Sequence, residues 1–142
     1  MKNKINIVTG KIQSGKTSGL FKLLNTRYSV DGILSPIVNE KRVLYHIASK
    51  TIKRFEVDES NEKTISIGNY IFLQESFDWA NEKLIQGFSS KPDFLVIDEL
   101  GKLELKGKGF YPSIKEILEI KDNSATQLIL VIRDYLLDEV LH

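Results

Sequence analysis

Cysteine is absent from the 142 residues, which excludes disulfides, thiolate metal sites and cysteine nucleophiles. Histidine occurs only twice, at His46 and His142, too few for a multi-histidine metal centre. No apolar run approaches the ~20 residues that span a bilayer, so no membrane partner is expected. The start, Met1-Lys2-Asn3-Lys4, leads into a short run broken at Gly10 rather than into the apolar core of a secretory signal. The expectation is a cytoplasmic protein. An excess of one charge is missing too: 20 Lys and Arg against 19 Asp and Glu leave a net +1, which gives no strong nucleic-acid signal. What is present is 42% hydrophobic residues, enough to build the core of a single domain over residues 1–142. No repeat, low-complexity tract or linker interrupts the chain, and nothing in it names a protein partner.

Strand-like and helix-like segments alternate at both ends. Ile5 to Val8 is a β-branched run that reads as a buried strand. Leu20, Leu23 and Leu24 recur at helical spacing, so a helix is expected from about Lys16. Asp31-Gly32 reads as a turn, and Ile33-Leu34 with Ile37-Val38 as an edge or end strand interrupted at Pro36. Arg42 to Ser49 and Lys53 to Val57 suggest a β-hairpin, and Tyr70 to Leu73 a further short strand. Phe77, Ala80, Leu84, Ile85 and Phe88 line one face of a helix that Gly87 and Ser89-Ser90 are expected to end. Phe94 to Ile97 is a continuous apolar run closed by Asp98-Glu99, the pattern of a strand covered on both faces. Phe110, Ile114, Ile117 and Leu118 mark another helix, Gln127 to Ile132 a last strand, and Tyr135 to Leu141 a final short helix. Such alternation predicts an α/β architecture with a mainly parallel sheet flanked by helices in three layers, carrying a small β-hairpin insertion.

One motif dominates the chain. Gly10-Lys11-Ile12-Gln13-Ser14-Gly15-Lys16-Thr17 matches the Walker A pattern G-x-x-x-x-G-K-[ST]. Gly10 and Gly15 permit a loop whose backbone N–H groups point inward at phosphate oxygens. The following helix adds its free N-terminal N–H groups, with Ser18 included among the phosphate-binding residues. Lys16 is expected to bring an ammonium to the β- and γ-phosphates, and Thr17 a hydroxyl to Mg²⁺. With ordinary Gly, Lys, Ser and Thr frequencies, a chance match in this length is on the order of 1 in 200. The position between a strand and a helix is the one the mechanism needs.

The apolar run ending in Asp98 is the expected Walker B strand. Its carboxylate would hold Mg²⁺ through water, since that ion dehydrates reluctantly. Glu99, next in sequence, is placed to polarise a water for in-line attack on the γ-phosphate.

At this point the sequence resembles a known family, the small nucleoside-triphosphatases known in animals as cancer-related nucleoside triphosphatase, with relatives in archaea and bacteria. The resemblance runs from Asn6 to about Val140. It rests on the Walker A loop, Gly32-Ile33-Leu34-Ser35, Arg42-Val43-Leu44-Tyr45 and Gly68-Asn69-Tyr70 ahead of Phe77. Its most specific part is Val96-Ile97-Asp98-Glu99-Leu100-Gly101-Lys102-Leu103-Glu104-Leu105. The resemblance implies a RecA-like P-loop fold in which an extra strand separates the Walker A and Walker B strands. It implies hydrolysis of ATP, GTP and related triphosphates. Lys16 and Thr17 carry over as phosphate and Mg²⁺ ligands, Asp98 as the metal acid and Glu99 as the water-activating acid. Gly101 and Glu104 match the block as well. The chain departs from the family pattern at Gln13, where a glycine is frequent, and at Ile37-Val38-Asn39, where an acidic-then-arginine stretch is usual. Arg42 or Arg133 would then serve the γ-phosphate.

Arg133 follows the last strand, at the end where parallel sheets gather ligands. It is a candidate for stabilising transition-state charge, with an ion pair to neighbouring Asp134 as the competing role. Arg42 by itself reads as a solvated hairpin arginine. Tyr45, Tyr70 and Tyr111 are each able to stack on a base, and sequence does not choose among them. Trp79 and His46 read as packing residues, and Lys102, Lys106 and Lys108 as a charged, solvated loop. The primary expectation is an NTPase passing γ-phosphate to water. A small-molecule or nucleotide kinase and a nucleotide-gated binding module with little turnover share the same cradle.

Overall fold

The computed structural model describes residues 4–10, 27–120 and 125–133. In chain order its elements are β1 (Lys4–Gly10), β2 (Val30–Leu34), β3 (Ile37–Val38), β4 (Lys41–His46), β5 (Thr51–Arg54), β6 (Glu56–Val57), β7 (Thr64–Ile67) and β8 (Tyr70–Leu73). Then follow α1 (Gln74–Ser89), β9 (Phe94–Leu100), α2 (Lys102–Leu105), α3 (Tyr111–Glu119) and β10 (Gln127–Arg133). The helix expected from Lys16 and that over Tyr135–Leu141 lie outside the described residues.

The main sheet has seven strands in the order β1-β10-β9-β2-β4-β3, with β5 paired to β4. The four strands β1, β10, β9 and β2 run parallel, and β4 joins β2 antiparallel to begin the hairpin extension. β10 therefore stands between β1 and β9, the strand that leads into the Walker A loop and the strand that ends in the two acids. Continuous apolar sequence in β9 and β10 follows from burial on both faces. Alternation sends Leu95, Ile97, Leu128, Leu130 and Ile132 to one face, where they pack with Phe77, Ala80, Leu84 and Phe88 of α1, Leu103 of α2 and Ile117 of α3. The opposite face carries Leu34, Val96, Ile129 and Val131 with Ile47. Each fully buried large apolar side chain contributes on the order of 2 kcal/mol. A second sheet, β6-β8-β7, closes one end of the first core through Phe55 and Phe72, stacked at 4.5 Å and 29° and packed on Phe77.

Two glycines differ from their expected roles. Asp31-Gly32 is no turn but the middle of β2, registered parallel to Leu95-Val96. Gly32 has φ +133, and a Cβ there would lie 2.0 Å from the Val96 carbonyl oxygen. Glycine is present because the strands approach too closely for a side chain. Gly87 does not end its helix either. It lies inside α1, where a Cβ would meet Asp31 Oδ2 at 2.6 Å and Leu95 Cδ1 at 3.3 Å. α1 thus packs closely on β2 and β9 at this position. β7 and α2, which the sequence reading lacks, are both short. Of the residues that mark α3, Ile117 takes the inward position and Leu118 is 46% exposed.

Asp31 knots β2 to β4. Its Oδ1 accepts the Gly32 N–H at 2.7 Å and the Ala48 N–H at 3.2 Å, and lies 3.3 Å from His46 Nε2. His46 Nδ1 is 2.7 Å from Ser49 Oγ, and its ring meets Trp79 edge-on. Burial holds the His46 imidazole below the usual histidine value of 6.5, the nearby Asp31 carboxylate offsetting only part of that effect. The unfolded chain therefore takes up the proton first on acidification, so this contribution to stability is complete above pH 6.5 and declines as pH falls from there towards the folded value. Urea midpoints at pH 7.5 and 5.5 should show a smaller acid loss in His46→Gln than in the parent protein. An equal loss in both would remove His46 as its source.

Candidate active site

The carboxyl ends of the parallel strands collect the candidate residues. β1 ends at Gly10, the first residue of the Walker A motif, and Gly10 is registered opposite Arg133 at the end of β10. Lys11, Ile12, Gln13, Ser14, Gly15, Lys16, Thr17 and Ser18 lie outside the described residues. Arg133 is thus brought, by backbone position, beside the first residue of that motif. On the other flank of β10, Val131 pairs with Asp98, and the same Val131 pairs with Val8 of β1. At ~4.8 Å per strand, Asp98 stands about 10 Å across the sheet from β1.

β9 continues through the acids rather than stopping before them. Val131 pairs with Asp98 but Ile132 pairs with Leu100, so Glu99 is an extra residue in the ladder. A bulge of this kind re-aims a side chain next to a site. The Asp98–Glu99 peptide bond is cis. Asp98 is 2% exposed and follows Val96 in register on one face. Glu99 instead lines a cavity on the other face, with Phe55, Phe72, Phe77 and Phe110. Two adjacent carboxylates are consequently delivered to different surroundings.

Ser35 and Arg42 tie this end together. The buried Ser35 hydroxyl donates to the Asp98 carbonyl oxygen. Arg42 Nη1 donates to the Ser35 carbonyl at 2.7 Å, while its Nη2 lies 3.8 Å from Glu99 Oε1. The Arg42 N–H is itself accepted by Glu56 Oε1 at 3.1 Å, and Glu56 Oε2 faces Lys41 Nζ at 3.6 Å. Arg42 is therefore not a solvated hairpin arginine. β4 packs antiparallel against β2, which swings the side chain back over the strand ends. Only the resemblance block around Arg42-Val43-Leu44-Tyr45 signals it in the sequence.

Other singled-out residues separate clearly. Glu104 Oε1 accepts the Gly101 N–H at 2.6 Å and Oε2 the Phe110 N–H at 3.0 Å, so it caps α2 and fastens the start of α3. Lys102 and Tyr70 reach the cavity beside Glu99. Lys106 and Lys108 are exposed, Tyr45 packs on the core of the opposite face, and Tyr111 begins α3. Among the described residues no group of three or more His, Cys, Asp and Glu side chains is arranged to hold a metal, and no helix is long and apolar enough to cross a membrane. The buried Asp98 still fits Mg²⁺, a hard cation that takes one or two carboxylates and draws its other ligands from phosphate and water.

A parallel core with a strand inserted between the Walker A and Walker B strands, and acids at the end of the latter, defines a P-loop NTPase of the RecA-like class. The model of the family described as NTPase matches residues 5–141. The chain belongs to that NTPase family and is an enzyme of that class. It is 31% identical over 140 residues to nucleoside-triphosphatase THEP1 of Saccharolobus solfataricus, across 92% of this chain and 77% of that protein. To the protein of the same description from Methanopyrus kandleri it is 26% identical over 116 residues, across 77% of this chain and 64% of the relative. The crystal structure of THEP1 from the hyperthermophile Aquifex aeolicus shares the fold, with a TM-score of 0.68 at 23% identity, over 96% of this chain and 83% of that one.

Proposed function

We propose that the chain binds ATP or GTP with Mg²⁺ and transfers the γ-phosphate to water. The observation that carries this is the delivery of Asp98 and Glu99 to the carboxyl end of β9, across one intervening strand, β10, from the β1 end that opens the Walker A motif. Gly10 to Ser18 hold the phosphates through backbone N–H groups, and Lys16 adds its ammonium to the β- and γ-oxygens. Thr17 and Asp98 would hold Mg²⁺, which when bound neutralises charge on the phosphates. Glu99 takes a proton from the attacking water as the new oxygen–phosphorus bond forms and the bond to the departing diphosphate breaks. Arg133, rooted beside Gly10, is assigned to the charge that develops on the transferred group. With a net charge of +1 and no basic excess, the enzyme acts on free nucleotide rather than on a nucleic-acid chain.

Phosphate release from a panel of triphosphates, with Mg²⁺ and with chelator, beside a Lys16→Ala control, tests this reading. Release that needs Mg²⁺ and no added acceptor is expected. A protein inert alone and active only when an acceptor is supplied would instead be a kinase.

Arg42 acts through Glu99 as a positioning residue. Its guanidinium, held by the Ser35 carbonyl, faces the Glu99 carboxylate and fixes its direction. Arg42→Ala should lower kcat about tenfold, part of the general-base contribution, with the triphosphate KM little moved, and Arg42→Lys should recover part of the loss. A kcat equal to the parent's, or a loss that Arg42→Lys does not restore, would assign Arg42 to structure alone.

A further inference from the structure

The cavity beside Glu99 has a volume of about 390 Å³, within the range of small-molecule sites. Its walls are unusually aromatic. Alternation along β8 brings Tyr70 and Phe72 to one face, where their rings lie 6.4 Å apart at 21°, and Phe72 in turn stacks on Phe55. The outermost ring of this stack, Tyr70, remains 53% exposed although it lines the cavity. Packing explains Phe55 and Phe72, which are buried, but not an exposed aromatic ring extending the same array into open space. Charge narrows the occupant. The lining includes four glutamates (Glu40, Glu56, Glu99 and Glu104) against Arg42 and Lys102, so the cavity has no excess of positive charge. Glu56 and Lys102 nevertheless offer an acceptor and a donor to the edge of an uncharged ring.

We propose that this cavity binds a nucleobase-type planar heteroaromatic ring, stacked on Tyr70, with its polar edge turned to Glu56 and Lys102. Stacking of a base on an aromatic side chain tolerates different bases because every base presents a π-face. The ring belongs either to the bound triphosphate or to a separate nucleoside placed beside Glu99. The proposal deepens the reading of this end of the sheet as a nucleotide site, but ring binding does not require turnover.

Ligand-detected NMR with adenosine, guanosine, cytidine and uridine, and ribose as the non-aromatic control, reads the site directly. The parent protein and Tyr70→Phe should bind nucleosides and not ribose. Tyr70→Ala, and Ile67→Trp, which fills the lining, should each weaken binding about tenfold or more. If the ring is that of the triphosphate, adenosine competes with ATP and Tyr70→Ala raises the ATP KM by the same factor at unchanged kcat. If it is a separate nucleoside, adenosine binds the ATP-saturated protein and the KM stays put. Absence of nucleoside binding, equal binding of ribose, or undiminished binding in both Tyr70→Ala and Ile67→Trp overturns the assignment. Tyr70-dependent nucleoside binding by a protein that releases no phosphate would sink the hydrolytic reading and leave the cavity assignment standing.

Discussion

Glu99→Gln should bind Mg²⁺-triphosphate as the parent does while releasing phosphate 10²-fold more slowly or worse, about the contribution of a positioned general base. Glutamine preserves the shape of the side chain but accepts no proton from water at neutral pH. The site is suited to show this cleanly. Glu99 is the extra residue of the β9 bulge, its side chain is 9% exposed, and the Arg42 guanidinium stands 3.8 Å away. That separation is an ion-pair distance outside hydrogen-bond contact, so Arg42 faces the carboxylate without hydrogen-bonding it directly. Removing the charge leaves Arg42 anchored on the Ser35 carbonyl, and the surrounding structure should change little. Lys16→Ala makes the contrasting variant, since its loss should appear in triphosphate affinity itself. Nucleotide titration combined with single-turnover phosphate release separates the two effects. Turnover that survives intact in Glu99→Gln would remove this residue from the chemistry.

The central strands β9 and β10 announce themselves because both their faces are covered. Phe94-Leu95-Val96-Ile97 and Leu128-Ile129-Leu130-Val131-Ile132 have no polar interruption, and each becomes a central strand. The face of α1 is equally plain, since Phe77, Ala80, Leu84 and Phe88 recur at helical spacing and all are buried. Strand order does not follow from such patterns. The placement of β10 between β1 and β9 agrees with what the family resemblance implies and with no property of any single segment. Gly32 and Gly87 are misleading for a common reason. A glycine demanded by a neighbour distant in sequence, as Gly32 is by Val96 and Gly87 by Asp31, looks, locally, the same as one that turns the chain. Of the candidate site, the apolar-run-then-acid pattern points to Asp98 and Glu99, but not to the bulge at Glu99 or to the cavity that Glu99 lines. Arg42 and Tyr70 acquire their settings only when β4 folds against β2 and the small sheet closes over Phe77. Both settings are tertiary contacts with no periodicity to betray them.

The second large effect concerns the fold that holds this site. Gly32→Ala should cost about 4 kcal/mol or more, a large part of the 5–15 kcal/mol by which native domains are stable. Two penalties act together. The backbone at φ +133 is one that side-chain-bearing residues rarely adopt, and the new methyl would lie 2.0 Å from the Val96 carbonyl oxygen and 2.7 Å from the Val96 nitrogen. No flexible side chain can yield, because the obstacle is the backbone of β9 itself. Relief requires parting β2 from β9, and that seam is the one Ser35 closes on the Asp98 carbonyl two residues beyond the end of the pairing. Activity should therefore fail along with stability. A urea denaturation series on Gly32→Ala and on the solvent-facing Ile52→Ala, 63% exposed, separates a steric seam from ordinary strand propensity. The first should lose most of its midpoint and the second almost none. A Gly32→Ala midpoint within 0.5 kcal/mol of the parent's stability, the range of routine surface changes, would mean that β2 and β9 are not pressed together at this point.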